Sequence, residues 1–460
     1  MSGRTSARSL PSAELPVSGV LSLFQEILPG CFVEQLCQRA RVKINNSVYT
    51  PLVVMWLLMQ QRLQGAAPLE AAVLDLLHEL PACFWPNPCK RVRDWQQSGN
   101  PVSGNTAAYN QARQRLPLPV VEQSCDRIFD QLMARMAPVC AGVSRRAFVL
   151  DGTSMRLAYS PALAKLFPPC SNRNGESHWP VMRVLVAHDL QTGLAMRPQW
   201  GAMYGEEAVS EQHLLEIAIG RLPAGAAVIG DNNFGVFSVA WTATEKGYSV
   251  LLRLTPVRAQ RLAGEALKDG IDRELVWKPS RDDRKSHPAL PAEACVRGRL
   301  MVRQVRPDNG TEPFLLALFT TLPEPAEEIV KLYGQRWTIE TDLRTLKSQL
   351  RMEQLSCATP EMTAKEIQMA IAAYNLVRAI ICLAAQQSGL PPRNYSFTRV
   401  GRIVDSFAPK IASASSEQEA RRHFDRMMYF VQQAKLPRRK RKSYPREVWG
   451  EGAKFPKRKQ

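Results

Sequence analysis

The sequence predicts a mixed α/β core carried between two helical regions, and three observations predict it. Apolar residues recur at three- and four-residue spacing from Val17 to about Ala137, the period of helices. At Arg146 the period changes, and strands then alternate with helices as far as Leu254 in the order β, β-hairpin, α, β, α, β. Helical spacing returns at Leu332 and continues to about residue 433.

Composition narrows the function. A chain of 460 residues is too long for one ordinary core, so two to four domains are expected. The formal charge of +18 and a pI near 9.7 favour a polyanionic partner, nucleic acid before an anionic membrane surface. Ten cysteines are scattered without a CxxC pair, and Cys83 and Cys89 lack zinc-finger spacing, so all read as reduced thiols. Histidines run from His78 to His423 with no HExxH or HxH pair, which argues against a histidine-built metal site. The N-terminus shows no hydrophobic signal segment, and the longest apolar run, Ala370–Ala385, contains Asn375 and Arg378. The expectation is a soluble cytoplasmic protein with no membrane partner.

Taken in order, residues 1–16 are Ser/Pro-rich and read as a flexible N-terminus. Residues 17–140 form a helical domain, with helices at Val17–Leu28, Cys31–Ala40, Thr50–Leu63, Leu69–Leu80 and Val120–Met136. Asn105 or Thr106 caps a further helix carrying Tyr109, Arg113 and Arg115. With Lys90, Arg91 and Arg93 these give the region a basic side. Such a bundle either reads DNA or is a packing domain with solvated arginines. Residues 141–254 open the α/β core. Strand Ala147–Leu150 meets Asp151 at its end, and a hairpin follows, Val181–His188 with Leu194–Trp200. A helix from about Glu206 to Leu222 leads to strand Ala226–Ile229, which ends on Gly230 and Asp231. Helix Val236–Lys246 and strand Tyr248–Leu254 complete this part. Residues 255–321 are richer in Gly and Pro, with short β-like pieces at Glu274–Trp277, Leu300–Val305 and Pro313–Phe319. They read as a β-rich insertion outside the main sheet. The core resumes over 322–360, a C-terminal helical region covers 361–433, and residues 434–460 form a basic tail that adds phosphate-seeking charge.

The stretch Leu332–Leu350 reads as one uninterrupted helix. At about 100° per residue, Tyr333, Arg336, Glu340 and Lys347 fall within an arc of roughly 60°, beside an apolar stripe of Leu332, Ile339, Leu343, Leu346 and Leu350. Asp151 and Asp231 follow strand ends, where side chains project into a crevice. Three carboxylates brought together repel one another unless cations neutralise them, and Mg²⁺ suits hard oxygen ligands and substrate phosphates. Two such ions serve phosphodiester chemistry, while Tyr333, Arg336 and Lys347 hold phosphate through charge-assisted hydrogen bonds. Other carboxylates fit less well. Asp342 and Glu353 point away from Glu340, Asp189 lies beside the hairpin turn, and Glu206 and Glu207 begin a helix where they favour its dipole.

The segments VLDGTSMRL, VIGDNNFGVFSVA and YGQRWTIETDLRTLK resemble the three catalytic segments of DDE transposases of bacterial insertion sequences. The spacing Tyr333-x2-Arg336-x3-Glu340-x6-Lys347 resembles the Tyr/Arg/Glu/Lys signature of the fourth insertion-sequence family. Asn232 and Asn233 stand where some relatives carry charged residues. The resemblance implies a ribonuclease-H-like mixed sheet with the β-rich insertion between Asp231 and Glu340. It implies that Asp151, Asp231 and Glu340 bind two Mg²⁺ (or Mn²⁺) ions and that Tyr333, Arg336 and Lys347 position DNA. It also implies cut-and-paste transposition: end cleavage through a hairpin, then strand transfer into target DNA. The partners would be the terminal inverted repeats of its own element and target DNA, with a homodimer in the paired-end complex, in a bacterial, nucleoid-associated setting. The alternatives are a metal-dependent endonuclease without strand transfer and a non-catalytic DNA-binding repressor. Relatives hold a flipped base with an aromatic residue of the insertion, for which Trp277 is the candidate here and a core position the alternative. Trp337 either stacks on DNA or packs, and Arg344 and Arg351 are further DNA-contact candidates.

Overall fold

A computed structural model describes residues 19–42, 47–79, 84–85, 87–99, 102–136, 145–172, 175–306 and 312–437. The flexible N-terminus and most of the basic tail expected from the sequence lie outside these residues. The chain divides into two compact units. One comprises Met1–Val143, Gln191–Leu194 and Ile367–Leu436, the other Ser144–Leu190, Ala195–Glu366 and Pro437–Gln460. The helices before Val143 and those from Ile367 on are thus grouped in one unit.

Among the described residues seven helices open the first unit: α1 (Gly19–Ile27), α2 (Gly30–Arg39), α3 (Pro51–Leu63), α4 (Leu69–Glu79), α5 (Lys90–Ser98), α6 (Thr106–Arg115) and α7 (Leu118–Arg135). Helix α3 is its core. It starts where the Thr50 side chain accepts from the Val53 amide and Pro51 sits at the first position, and it buries residues on every face. Fully buried Tyr109 of α6 donates its hydroxyl to Gln61 of α3 at 2.9 Å. Asn105 caps α6 by accepting from the Ala107 amide. Helix α5 was not expected, because its composition, KRVRDWQQS, buries only Val92 and shows little apolar period.

The second unit is built on one nine-stranded sheet. In chain order the elements are β1 (Ala147–Arg156), α8 (Pro161–Leu166), β2 (Pro169–Asn172), β3 (Gly175–Asp189), β4 (Gln199–Ala202), α9 (Glu211–Ile219), β5 (Ala227–Gly230), α10 (Phe237–Glu245) and β6 (Ser249–Arg253). Then come α11 (Pro256–Ala263), β7 (Asp272–Trp277), α12 (Arg281–Ser286), β8 (Val296–Val305), β9 (Phe314–Thr320), α13 (Ala326–Gly334) and α14 (Thr338–Ser348). The spatial order is β2-β3-β1-β5-β6-β9-β8-β7, with β4 paired to β3. β1, β5 and β6 run parallel, and the short apolar run of β5 is buried at every position, as a central parallel strand requires.

Two expectations change here. Residues 255–321 are not outside the main sheet. β9 pairs antiparallel with β6 through Leu251↔Thr320, Leu252↔Phe319 and Arg253↔Leu318, so the insertion extends the sheet sideways. Sequence periodicity shows that strands exist but not which edge they join. Strand β1 also runs on to Arg156, because β3 pairs with it along its whole length. Asp151 therefore lies within a strand rather than at its end.

Trp277 is 4% exposed and meets Phe319 edge-on at a centroid distance of 4.8 Å and Phe237 at 6.0 Å. It packs between the extended sheet and α10 and has no free face for a base, which corrects its candidacy as a DNA contact. A Cβ on Gly298 would come within 2.7 Å of the Thr320 carbonyl oxygen, so the strands here tolerate no added side chain.

The chain closes with α15 (Pro360–Ser388), α16 (Phe397–Ala412) and α17 (Glu417–Gln432). Helix α15 is long and apolar enough to cross a membrane, with a mean hydropathy of 1.7 over its most apolar stretch, but that stretch is wholly buried in the fold. Arg378 of α15 donates to the Tyr374 hydroxyl at 2.8 Å, and its guanidinium lies over the rings of Tyr374 and Phe397. The cysteines among the described residues are free thiols, as expected.

Replacing Trp277 by Ala is expected to destabilise the second unit by about 3–5 kcal/mol, the usual cost of emptying an aromatic core position. Urea unfolding followed by tryptophan fluorescence measures it. A loss under about 1 kcal/mol would show that the ring is not a core element.

Candidate active site

The pairing of β1 with β5 places the first two carboxylates. The register runs Ala147↔Ala227, Phe148↔Val228, Val149↔Ile229. Carried on by two residues, it sets Asp151 opposite Asp231, and the strand period of two puts both side chains on the same face. Past that point β1 loses its parallel neighbour, and its burial changes from complete to partial at Asp151. Each carboxylate is held by a local backbone bond. Asp151 Oδ1 accepts from the Gly152 amide and Asp231 Oδ1 from the Asn233 amide, both at 2.9 Å.

Burial first, then the negative charges of Asp231 and Glu211, push the Asp151 carboxyl up to about 6, while the Gly152 N–H and Arg336 pull it down. The physical content is loss of solvent around the carboxylate first, with like charge from its neighbours added to it.

The expected uninterrupted helix Leu332–Leu350 is broken. α13 ends at Gly334, Gln335–Trp337 wind as a 3₁₀ turn, and α14 begins at Thr338. Four of the five stripe residues, Ile339, Leu343, Leu346 and Leu350, are buried and seat this segment. The chain beyond α14 is tied to the end of β1. Arg156 donates its amide to the Glu353 carbonyl at 3.0 Å, and its own carbonyl accepts from Leu355 at 2.9 Å. Arg351 turns the chain there with a left-handed φ of 52°.

Arg336 is the hub of this region. It is only 7% exposed, its guanidinium lies 3.9 Å from the Glu340 carboxylate, and its charge acts on Asp151. Tyr333 is 4% exposed, and its hydroxyl feels Arg336, Arg253 and Asp231, although burial dominates and raises it. Burial lowers the Lys347 ammonium, with Glu353, Arg156 and Asp151 as its charged surroundings. The Tyr333 hydroxyl and Arg336 Nε are buried without a well-formed hydrogen bond, a cost of about 1–3 kcal/mol each that an oxygen-rich ligand would relieve. Trp337 is 48% exposed, with Arg336 stacked under its ring at 4.9 Å, so its outer face is free to stack. Arg344 and Arg351 are exposed.

The structure thus brings Asp151, Asp231, Tyr333, Arg336 and Lys347 into electrostatic contact, with Glu340 joined through Arg336. Among the described residues no three His, Cys, Asp or Glu side chains are grouped tightly enough to hold a metal ion, and the Glu340 carboxylate faces the Arg336 guanidinium. Asp151 and Asp231, hard oxygen donors crowded by like charge, fit a divalent cation. The competing carboxylates are accounted for elsewhere: Asp189 and Asp342 are fully buried, and Glu353 pairs with Arg156 at 3.1 Å.

One residue beside the site escaped the sequence reading. The helix expected from Glu206 begins at Glu211, after a turn at Gly205 with φ 87°. Ser210 caps it by accepting from the His213 amide at 3.1 Å, and Glu211 then lies over Gly152. The N-cap serine just before the apolar period was the available signal.

The family description of the transposase DDE domain matches residues 143–376, just over half of the chain. The chain belongs to that family and is a DDE transposase. It is similar to the transposase InsG for insertion sequence element IS4 of Escherichia coli (strain K12). The two are 26% identical over 376 residues, which cover 76% of this chain and 78% of that one. The resemblance carried by the four-residue signature is thereby supported over most of both chains.

The raised Asp151 value has a stability consequence with a definite sign. Between the ordinary carboxyl range and pH 6 the folded chain keeps a proton that the unfolded chain has released. Stability therefore falls as pH rises through that window, and the loss is complete above it. In the presence of a chelator, Asp151→Asn is expected to exceed the parent by about 2 kcal/mol at pH 8, after discounting partial exposure, and to match it near pH 3. Equal stabilities at pH 8 would show that neither burial nor neighbouring charge raises the Asp151 carboxyl.

Proposed function

We propose that this transposase cuts the ends of its own element and joins them to target DNA, with Asp151, Asp231 and Glu340 as the metal-binding catalytic residues. The observation that carries the reading is the register that sets Asp151 opposite Asp231 beside the Arg336–Glu340 pair. The core reads as ribonuclease-H-like, supported by parallel β1, β5 and β6 flanked by antiparallel β3. Bound at these carboxylates, two Mg²⁺ or Mn²⁺ ions would supply Lewis acidity for phosphodiester attack and departure.

The remaining chemistry belongs to the side chains. The guanidinium of Arg336 and the ammonium of Lys347 bind and orient the phosphate beside the scissile bond, and the Tyr333 hydroxyl donates to it. The buried Tyr333 hydroxyl and Arg336 Nε, neither in a well-formed hydrogen bond, support this role. As Arg336 takes up a phosphate, Glu340 is released from it to face the aspartates. Trp337 offers the exposed ring on which a base at the element end would stack. Arg344 and Arg351 extend the cationic margin. In the helical unit, a cleft of about 1040 Å³ lined in part by Lys90, Arg91 and Arg115 supports a DNA-contacting role there. The hairpin route, the recognition of terminal inverted repeats and a homodimeric paired-end complex are part of the same reading, on the strength of the family resemblance.

Incubation with Mg²⁺ and DNA bearing the element's ends tests it. Cleavage followed by strand-transfer product is expected, and Asp151→Ala, Asp231→Ala or Glu340→Gln should each lower it at least about a hundredfold. Cleavage without any joined product would favour a plain endonuclease, and unchanged activity in all three variants a non-catalytic DNA binder. Lys347→Ala is expected to reduce the slope of log affinity against log salt by about one, the signature of a single lost phosphate contact.

A further inference from the structure

The turn that follows β5 is clamped from the side by α9. Asn233 Nδ2 donates to Glu211 Oε2 at 2.6 Å, and the Asn233 amide donates to Asp231 Oδ1 at 2.9 Å. Gln212 Nε2 donates to both the Asn233 carbonyl and its Oδ1 at 2.8 Å, so every polar atom of Asn233 is engaged. The far end of the turn is held where Arg258 Nη1 donates to the Gly235 carbonyl at 2.7 Å. On its other side the Glu211 side chain lies directly over Gly152, so closely that a Cβ there would overlap its carboxylate. Glu211 thus touches the neighbour of Asp151 and, through Asn233, the loop that carries Asp231. Its own backbone is fixed at the first turn of a capped helix. That place also suits its charge.

We infer that Glu211 is a positioning residue for the transposase reaction: through Asn233 it holds the Asp231 carboxylate opposite Asp151. The inference rests on the proposed assignment of Asp151 and Asp231 to metal binding. Asp231 follows a strand only four residues long, so its backbone has no ladder partner of its own beyond Gly230. The side-chain clamp supplies the rigidity that the strand does not. A charge-assisted amide–carboxylate bond is strong enough for that task. Partners that orient a metal-binding carboxylate typically change affinity 10- to 100-fold when removed. The clamp also accounts for Asn rather than a charged residue at 233, since a carboxylate there would face Glu211.

The test uses the full-length protein and Mn²⁺ as the probe. Binding is read without DNA by electron paramagnetic resonance, and the half-saturating Mn²⁺ for end cleavage is read separately. Glu211→Ala and Asn233→Ala are each expected to weaken Mn²⁺ binding about tenfold and to raise the half-saturating concentration in parallel. Cleavage at saturating Mn²⁺ should stay within about threefold of the parent. Glu211→Gln keeps an oxygen acceptor for Asn233 and should return both values to within about threefold. Parent-like Mn²⁺ affinity in Glu211→Ala and Asn233→Ala would overturn the inference. So would Glu211→Gln as defective as Glu211→Ala, which would make the carboxylate charge itself the ligand. Should Glu211→Ala unfold, exposed Asn233 carries the same test. Asp151→Ala separates the two readings: if it binds Mn²⁺ like the parent, the assignment of the metal site fails, not the clamp.

Discussion

The second unit depends on keeping like charges close. The β1–β5 ladder runs as far as Val149↔Ile229 and delivers Asp151 and Asp231 side by side just beyond its last pair. The Asp151 carboxyl is raised by burial first and by this repulsion second. It is contained by backbone amides at each carboxylate and by Arg336, a buried cation that serves Asp151 on one side and Glu340 on the other. A guanidinium is well suited to this, being always charged and weakly hydrated. The same group stacks beneath Trp337, so the electrostatic centre of the site and its exposed aromatic ring are mechanically joined.

Sideways extension of the sheet has a second consequence for the site. Because β9 pairs with β6, the insertion is anchored to the strand that carries Arg253, and Arg253 contributes to the surroundings of Tyr333. Trp277, Phe319 and Phe237 form the apolar joint of this extension.

Much of the core was legible from residues because its strands are short, apolar and bounded. The runs around Val228 and Leu251 sit in the sheet as read, and Asp151 lies within reach of the charges of Asp231 and Arg336. What escaped had physical reasons. Helix α5 buries only Val92, so it leaves almost no apolar period to detect. Partner choice among strands is non-local, which hid both the length of β1 and the attachment of β9. Glu211 was missed because the helix start was placed at the first acidic pair, Glu206 and Glu207, rather than after Ser210. The chain around Arg336 looks continuous because each residue there tolerates helix, and a 3₁₀ turn leaves no compositional mark.

That turn changes what the signature spacing means. Each residue wound as 3₁₀ advances by about 120° instead of 100° and rises about 2.0 Å instead of 1.5 Å. Across Gln335–Trp337 the difference amounts to about 60° of rotation and about 1.5 Å of rise. Tyr333 lies before the turn and Glu340 after it, so the angle between them is a phase set by two pitches in series. Intervals of three, four and seven residues are therefore a property of this composite screw rather than of a regular α-helix.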